Sequence, residues 1–256
     1  MTRTGGHGPA PVGYKRGVVT SGTRGPDTHR LGVGRFGVDR DGLVTAAAFA
    51  VLTGALGVRG ASRTARLAAA VAGVALTLFF RDPNRSPSDD PSWTPDPDEV
   101  LAASDGRVLS VEEVEDPRIG PGRWLRIATF LSVLDVHVNR APISGEVVAV
   151  RRYGGGYAMA QTEGAEHNVA AYLTLATDHG PVIVAQRTGL IARRIVVRTR
   201  VGDRLRAGQR FGLIRFGSRT DVYLPAGTAR AEVSVGARVI GGRTPLARFT
   251  PSDLQE

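Results

Sequence analysis

The 256-residue chain contains no cysteine and a single lysine, Lys15. The first absence excludes disulfides, thiolate metal sites and thiol nucleophiles together. Histidine is scarce: five occur, at 7, 29, 137, 167 and 179, and no two stand as H-x-H on one strand face. A zinc peptidase of β-sandwich type is therefore not expected, because it needs paired imidazoles with an acid at ligand spacing. What the chain has instead of lysine is arginine, which supplies almost all of a net charge of +9. Such a balance favours anionic partners, whether nucleic acid, phospholipid headgroups or acidic metabolites. With 42% hydrophobic residues, the chain can bury a core and make one domain with extensions.

Residues 1–41 are rich in Gly, Pro, Arg and Thr without apolar periodicity and read as a basic, disordered tail. From Gly42 to Val58 no charge appears for 17 residues, and Leu67 to Phe80 adds 14 more after the basic link RGASRTAR. About 20 apolar residues cross a bilayer core, so residues 42–80 are expected to form a membrane hairpin, either spanning or shallow and re-entrant. Basic residues lie both before and between the apolar runs, so the positive-inside rule pulls both ways; monotopic insertion removes that conflict. Residues 81–99, RDPNRSPSDDPSWTPDPDE, read as an extended Pro/Asp-rich linker.

From residue 100 to 256, short β-rich runs alternate with glycine turns, the rhythm of an all-β sandwich or barrel. The segment also repeats itself. ASDGRVLSV resembles PISGEVVAV, and VGDRLRAGQRFGLIRF resembles VGARVIGGRTPLARF. This is the strand-and-turn pattern of lipoyl/biotinyl-like barrel-sandwich domains, in which two similar halves pack together. The lysine that would carry a lipoyl or biotinyl group is missing, which argues against a carrier.

Two stretches hold the candidate chemistry. In IRFGSRTDVYLP, Gly217 and Ser218 stand between two strands, where a turn is the ordinary reading. In FLSVLDVHVNRAP, strand alternation sets Asp135, His137 and Asn139 on one polar face. That face is either the solvent side of an edge strand or a functional cluster.

Taken together, FFRDPNR after the apolar runs, SDGRV, FLSVLDVHVNRAPISGEV, QRTGLIARRIV and RFGLIRFGSRTDVYLP resemble the short form of phosphatidylserine decarboxylase in order and spacing. The resemblance covers residues 79 to 249, and it departs at Asn168, which is followed by Val169 instead of an acid. It implies a membrane-anchored enzyme that makes its own cofactor. Self-cleavage between Gly217 and Ser218 would give a large chain, 1–217, and a small chain, 218–256, joined as a heterodimer with possible higher assembly. Ser218 would become a pyruvoyl group that takes phosphatidylserine as a Schiff base and releases phosphatidylethanolamine. His137 would be the base in that cleavage, and Asp105 would fix its tautomer. Arg140, Arg193, Arg194 and Arg219 are candidate phosphate contacts, since guanidinium matches phosphate oxygens. The catalytic domain is expected on the cytoplasmic face of the cell membrane, with no metal and no nucleic-acid partner. Two rivals remain: a decarboxylase of a related serine phospholipid, and a non-catalytic lipoyl-like binding module on the same anchor.

Overall fold

The structure, a computed structural model, describes residues 38, 40–85, 92–191, 194–215 and 217–250. The expected basic tail before residue 38 and part of the linker lie outside the described residues.

Two helices come first, α1 (Arg40–Val58) and α2 (Arg63–Phe79). Ser62 caps α2, its hydroxyl accepting from the Ala65 N–H at 3.2 Å and so satisfying one of the donors a helix start leaves open. The helices touch closely because Gly73 lies flat against Phe49; a Cβ there would sit 2.6 Å from the Phe49 Cβ. Away from that seam much of the pair's apolar surface is uncovered. Val44, Val51, Leu52, Val58, Leu67, Val71, Val74 and Leu78 are all exposed. Among the described residues, no helix is long and apolar enough to cross a membrane.

Beyond the helices the described residues are mainly β, as the turn rhythm predicts. Its strands are β1 (Glu99–Leu101), β2 (Gly106–Val114), β3 (Trp124–Leu131), β4 (Val138–Arg140), β5 (Gly145–Tyr153), β6 (Ala170–Thr177), β7 (Gly180–Arg187), β8 (Arg194–Val197), β9 (Arg204–Leu205), β10 (Arg210–Arg215), β11 (Ser218–Pro225), β12 (Ala229–Ala231), β13 (Arg238–Val239) and β14 (Pro245–Phe249). An eight-stranded sheet runs β13-β2-β3-β11-β7-β6-β5-β9, flanked by three-stranded sheets β4-β10-β8 and β1-β14-β12.

The sequence repeats become a symmetry of this strand order. The two members of the first repeat lead into β2 and β5; those of the second contain β9 with β10 and β13 with β14. In the large sheet, β13-β2-β3-β11 mirrors β9-β5-β6-β7 across its centre, and β1-β14-β12 matches β4-β10-β8. Even the irregularities correspond: β2 shifts register between Val108 and Ser110, β5 between Val147 and Ala149. The half built from β4 to β10 is inserted into the other half between β3 and β11. Where the inserted half has a tight turn joining β6 to β7, the outer half is cut open between Leu131 and Ser218, which pair across the gap. The Gly217–Ser218 peptide thus stands where the chain re-enters the outer half.

The main apolar core lies between the sheets, with Val100, Val108, Ile127, Val147, Leu175, Val184, Phe211, Val222 and Leu246 among its buried members. On β11 the alternation is plain. Val222 and Leu224 face this core, while Arg219, Asp221 and Tyr223 face the opposite side of the sheet.

Candidate active site

Ser218 opens β11 and is completely buried; its Oγ has no hydrogen-bond partner. Leaving a buried hydroxyl unpaired costs about 1–3 kcal/mol. Ahead of it, Gly217 takes φ +61°, in the left-handed region that disfavours a side chain. Nothing lies within 4 Å of where its Cβ would be, so glycine is required here by backbone conformation and not by crowding.

His137 meets this turn. FLSVLDVHVNRAP does not form the continuous strand that alternation predicts: β3 stops at Leu131, residues 132–137 make a turn, and only Val138–Arg140 returns to a strand. Asp135 makes the break. Its carboxylate accepts the Ser132 N–H at 2.8 Å and the Ser132 hydroxyl at 2.7 Å, closing a side-chain turn in place of a ladder, and it pairs with Arg238 at 2.9 Å. The solvent-side reading of this face fails, since Asp135, His137 and Asn139 are all buried.

The ring is held at both nitrogens. The Asp135 backbone carbonyl lies 2.9 Å from Nδ1, and since a carbonyl only accepts, the proton belongs on Nδ1. Nε2 is left with a lone pair and accepts the Gly217 N–H at 3.3 Å, facing the Gly217–Ser218 segment. Burial pushes the His137 pKa down to about 4, against the pull of Asp135 and Asp105, so the ring is neutral at pH 7. Phe79, the last residue of α2, lies over it with ring centroids 4.1 Å apart.

Asp105 is placed differently from the expectation. Its carboxylate pairs with Arg85 and accepts the Gly241 N–H at 2.9 Å, and the Asp135 carbonyl occupies the tautomer-fixing position at the ring. The physical reason lies in neighbouring donors: Arg85 and a turn amide satisfy the carboxylate before the imidazole can. Asp105 acts on His137 only through its charge.

The arginines also divide. Arg140 is buried and its guanidinium is used up internally, by Asp82 at 2.9 Å and by the carbonyls of Pro83 and Gly208. Arg219 faces away from Ser218, bonded to Asp221 at 2.6 Å and to Glu166 at 2.8 Å. Neither is available to a phosphate. Arg193 lies outside the described residues. Arg194 is exposed at the start of β8.

Residues that sequence reading passed over complete the surroundings. Gly189 presses its Cα against the Gly217 carbonyl; a Cβ at 189 would stand 2.4 Å from that oxygen. The loop carrying Gly189 is clamped by Asn168, whose Nδ2 donates to the Thr188 carbonyl at 2.8 Å and whose Oδ1 accepts from Ala158 at 2.7 Å. The following Val169 packs beside Ile195 and Ile214, an apolar place in which an acid would be costly. On the Ser218 face of the sheet, a buried polar seam joins Thr220 to Ser104 at 2.8 Å and Gln186 to Asn139 at 2.6 Å. Its only advance signal was polarity inside otherwise apolar strands.

A neutral imidazole aimed at the Gly217–Ser218 turn, with a buried, unpaired serine hydroxyl, can serve acyl transfer within the chain. Comparisons with known proteins point to one family. The family model described as phosphatidylserine decarboxylase matches residues 74–247. A phosphatidylserine decarboxylase proenzyme of Symbiobacterium thermophilum is 49% identical over 189 residues, 72% of this chain and 84% of that protein. Proteins of the same name from Gluconobacter oxydans and Thermobifida fusca are 47% identical over 187 residues and 43% over 206; they cover 70% and 80% of this chain, and 80% and 86% of their own lengths. On a family match across two thirds of its length and relatives at nearly half identity, the chain belongs to the phosphatidylserine decarboxylase family.

Proposed function

We propose that this protein converts phosphatidylserine to phosphatidylethanolamine and that it first cleaves itself between Gly217 and Ser218. The observation that carries the reading is the meeting of the His137 Nε2 lone pair with the Gly217–Ser218 turn, in a chain whose relatives are named proenzymes. Nε2 takes the Ser218 hydroxyl proton while Oγ adds to the Gly217 carbonyl. The Ser218 amine leaves as a proton reaches it, and the peptide becomes an ester. Elimination across the Ser218 Cα–Cβ bond then frees the Gly217 carboxylate and leaves a dehydroalanine start, which water converts to a pyruvoyl group and ammonia.

The site suits that group. Its serine oxygen has no competing partner, and the adjacent seam offers Asn139 Nδ2 and Gln186 Oε1 without partners. A pyruvoyl ketone supplies an electron sink for the departure of carbon dioxide. His137, within reach of the same turn, holds a lone pair that can carry a proton to or from the reacting carbon. Asp105 tunes it from a distance and Asp135 holds its tautomer.

The reading extends to place and partner. The uncovered apolar face of α1 and α2, with exposed Leu134, Leu190 and Ile191 on the loops next to His137 and Gly189, suits a shallow insertion at a membrane surface that presents the lipid. Arg194, near Ile191, is the remaining described candidate for its phosphate. The doubled strand order supports a lipoyl-like barrel-sandwich, with the two cleaved chains staying together because β11 is flanked by β3 and β7. Purified protein incubated with phosphatidylserine in detergent micelles should release carbon dioxide and phosphatidylethanolamine in equal amounts. Ser218→Ala protein should release neither. No product from cleaved protein would overturn the assigned reaction.

A further inference from the structure

The segment joining the helices to the β domain, Phe79–Arg85, spans the end of the expected membrane hairpin and the start of the expected extended linker at residue 81. Instead nearly every residue of it is tied to the β domain around the candidate site. Phe79 and Phe80 are buried, and with Leu213 of β10 they form a small apolar cluster. Phe79 covers the His137 ring, its centroid 4.1 Å away. Arg81 donates to the Leu134 carbonyl in the turn that carries Asp135 and His137. Asp82 pairs with Arg140 at 2.9 Å and Arg210 at 2.5 Å, and the Pro83 carbonyl accepts from Arg140 at 2.7 Å. Arg85 pairs with Asp105.

We propose that this strap is part of the active site, and that Phe79 is a positioning residue which holds the His137 ring in place and shields it from water. It rests on the self-cleavage reading for the role of His137, but the contact itself does not. Two physical effects follow from the cover. A ring pinned between Phe79 and the Asp135 carbonyl keeps Nε2 aimed at Gly217, and a base must be held in hydrogen-bond geometry to act. The same cover removes water from the imidazole, which disfavours its charged form. The charges that face the ring are Asp135 on its own turn, Asp105 before β2, and Arg81 on the strap. Because the strap also ends the helical pair, whatever displaces α2 from β10 displaces the cover.

The test uses the full chain in a Ser218→Ala background, so that the ring is read without any cleavage. Histidine labelled with ¹⁵N is titrated by NMR, with His137 assigned by His137→Gln, in the parent and in Phe79→Leu and Phe79→Ala. Phe79→Ala should raise the His137 midpoint by about one pH unit or more as water reaches the ring. Phe79→Leu, which keeps apolar volume without the ring, should raise it less. With Ser218 restored, self-cleavage should slow by at least about tenfold in Phe79→Ala, with Phe79→Leu between it and the parent. A side chain that only docks the helices would lower thermal stability without moving the titration. An unchanged His137 midpoint in folded Phe79→Leu and Phe79→Ala overturns the proposal; if Phe79→Ala fails to fold, an unchanged midpoint in Phe79→Leu does so alone. A shifted midpoint together with no self-cleavage in the chain that retains both Ser218 and Phe79 would sink the self-cleavage reading and leave the contact standing.

Discussion

Replacing Gly189 by alanine puts one methyl group against the bond proposed to break. The added Cβ would lie 2.4 Å from the Gly217 carbonyl oxygen, 3.3 Å from its carbon and 3.2 Å from the Ala160 Cβ. Ordinary contact with an oxygen needs about 1 Å more than the first of these distances, given that carbon contacts settle at about 3.5–4.0 Å. Ala160 blocks retreat on one side, and Asn168 holds the 188 carbonyl on the other. The displacement therefore falls on Gly217. A shift of about 1 Å at a reacting centre costs on the order of 100-fold in rate, while a glycine-to-alanine change at an ordinary backbone angle alters stability by only about 1 kcal/mol. Gly189 does not take a positive φ, so the backbone itself tolerates alanine. The assay is the time course of self-cleavage after synthesis, followed on denaturing gels alongside a thermal melt. Gly154→Ala is the control, because a Cβ there meets nothing within 4 Å. Folded Gly189→Ala protein cleaving at the parental rate would refute the placement of the Gly217 carbonyl against Gly189.

Other expectations follow from the same geometry. His137 has a folded pKa of about 4, below its unfolded value near 6.5. The unfolded chain therefore binds the proton first as pH falls, and stability drops between about pH 6.5 and 4, by on the order of 3 kcal/mol for this group. Urea melts of Ser218→Ala at pH 4.5 and 7 should show that loss, and it should shrink when His137→Gln is added. Asp221→Asn strips a carboxylate held down to about 2 by Arg219 and Arg187, both buried. It should cost about 3–5 kcal/mol in denaturant melts, and a loss below 1 kcal/mol would show that the arginines find other partners. Val71→Glu with Val74→Glu, on the exposed side of α2, should reduce flotation with anionic vesicles and spare self-cleavage. Unchanged flotation would remove the helices from the membrane contact.

Strand content and internal doubling were legible because they rest on local patterns: glycine turns, alternation, and two pairs of similar segments that take corresponding places in the sheets. The Gly217–Ser218 turn was legible for the same reason. His137 was found by motif, yet its surroundings were not, since a strand template cannot anticipate that Asp135 would trade ladder bonds for a side-chain turn. The partners of Asp105 and Arg140 were not legible because sequence shows charges but not which partner reaches them first. Arg85 and Asp82 come from a segment whose prolines and acids suggested a free linker. Gly189 lay inside the matching stretch QRTGLIARRIV, but its role there was not legible, because the need for a missing Cβ arises only where two backbones meet.

The central claim is that Ser218 ends its life as the first residue of a new chain. Mass spectrometry of the purified protein tests it most directly. The prediction is two chains, the smaller running from Ser218 to Glu256, lighter than its encoded mass by one ammonia and closed to Edman sequencing. An intact single chain in an active preparation would contradict it.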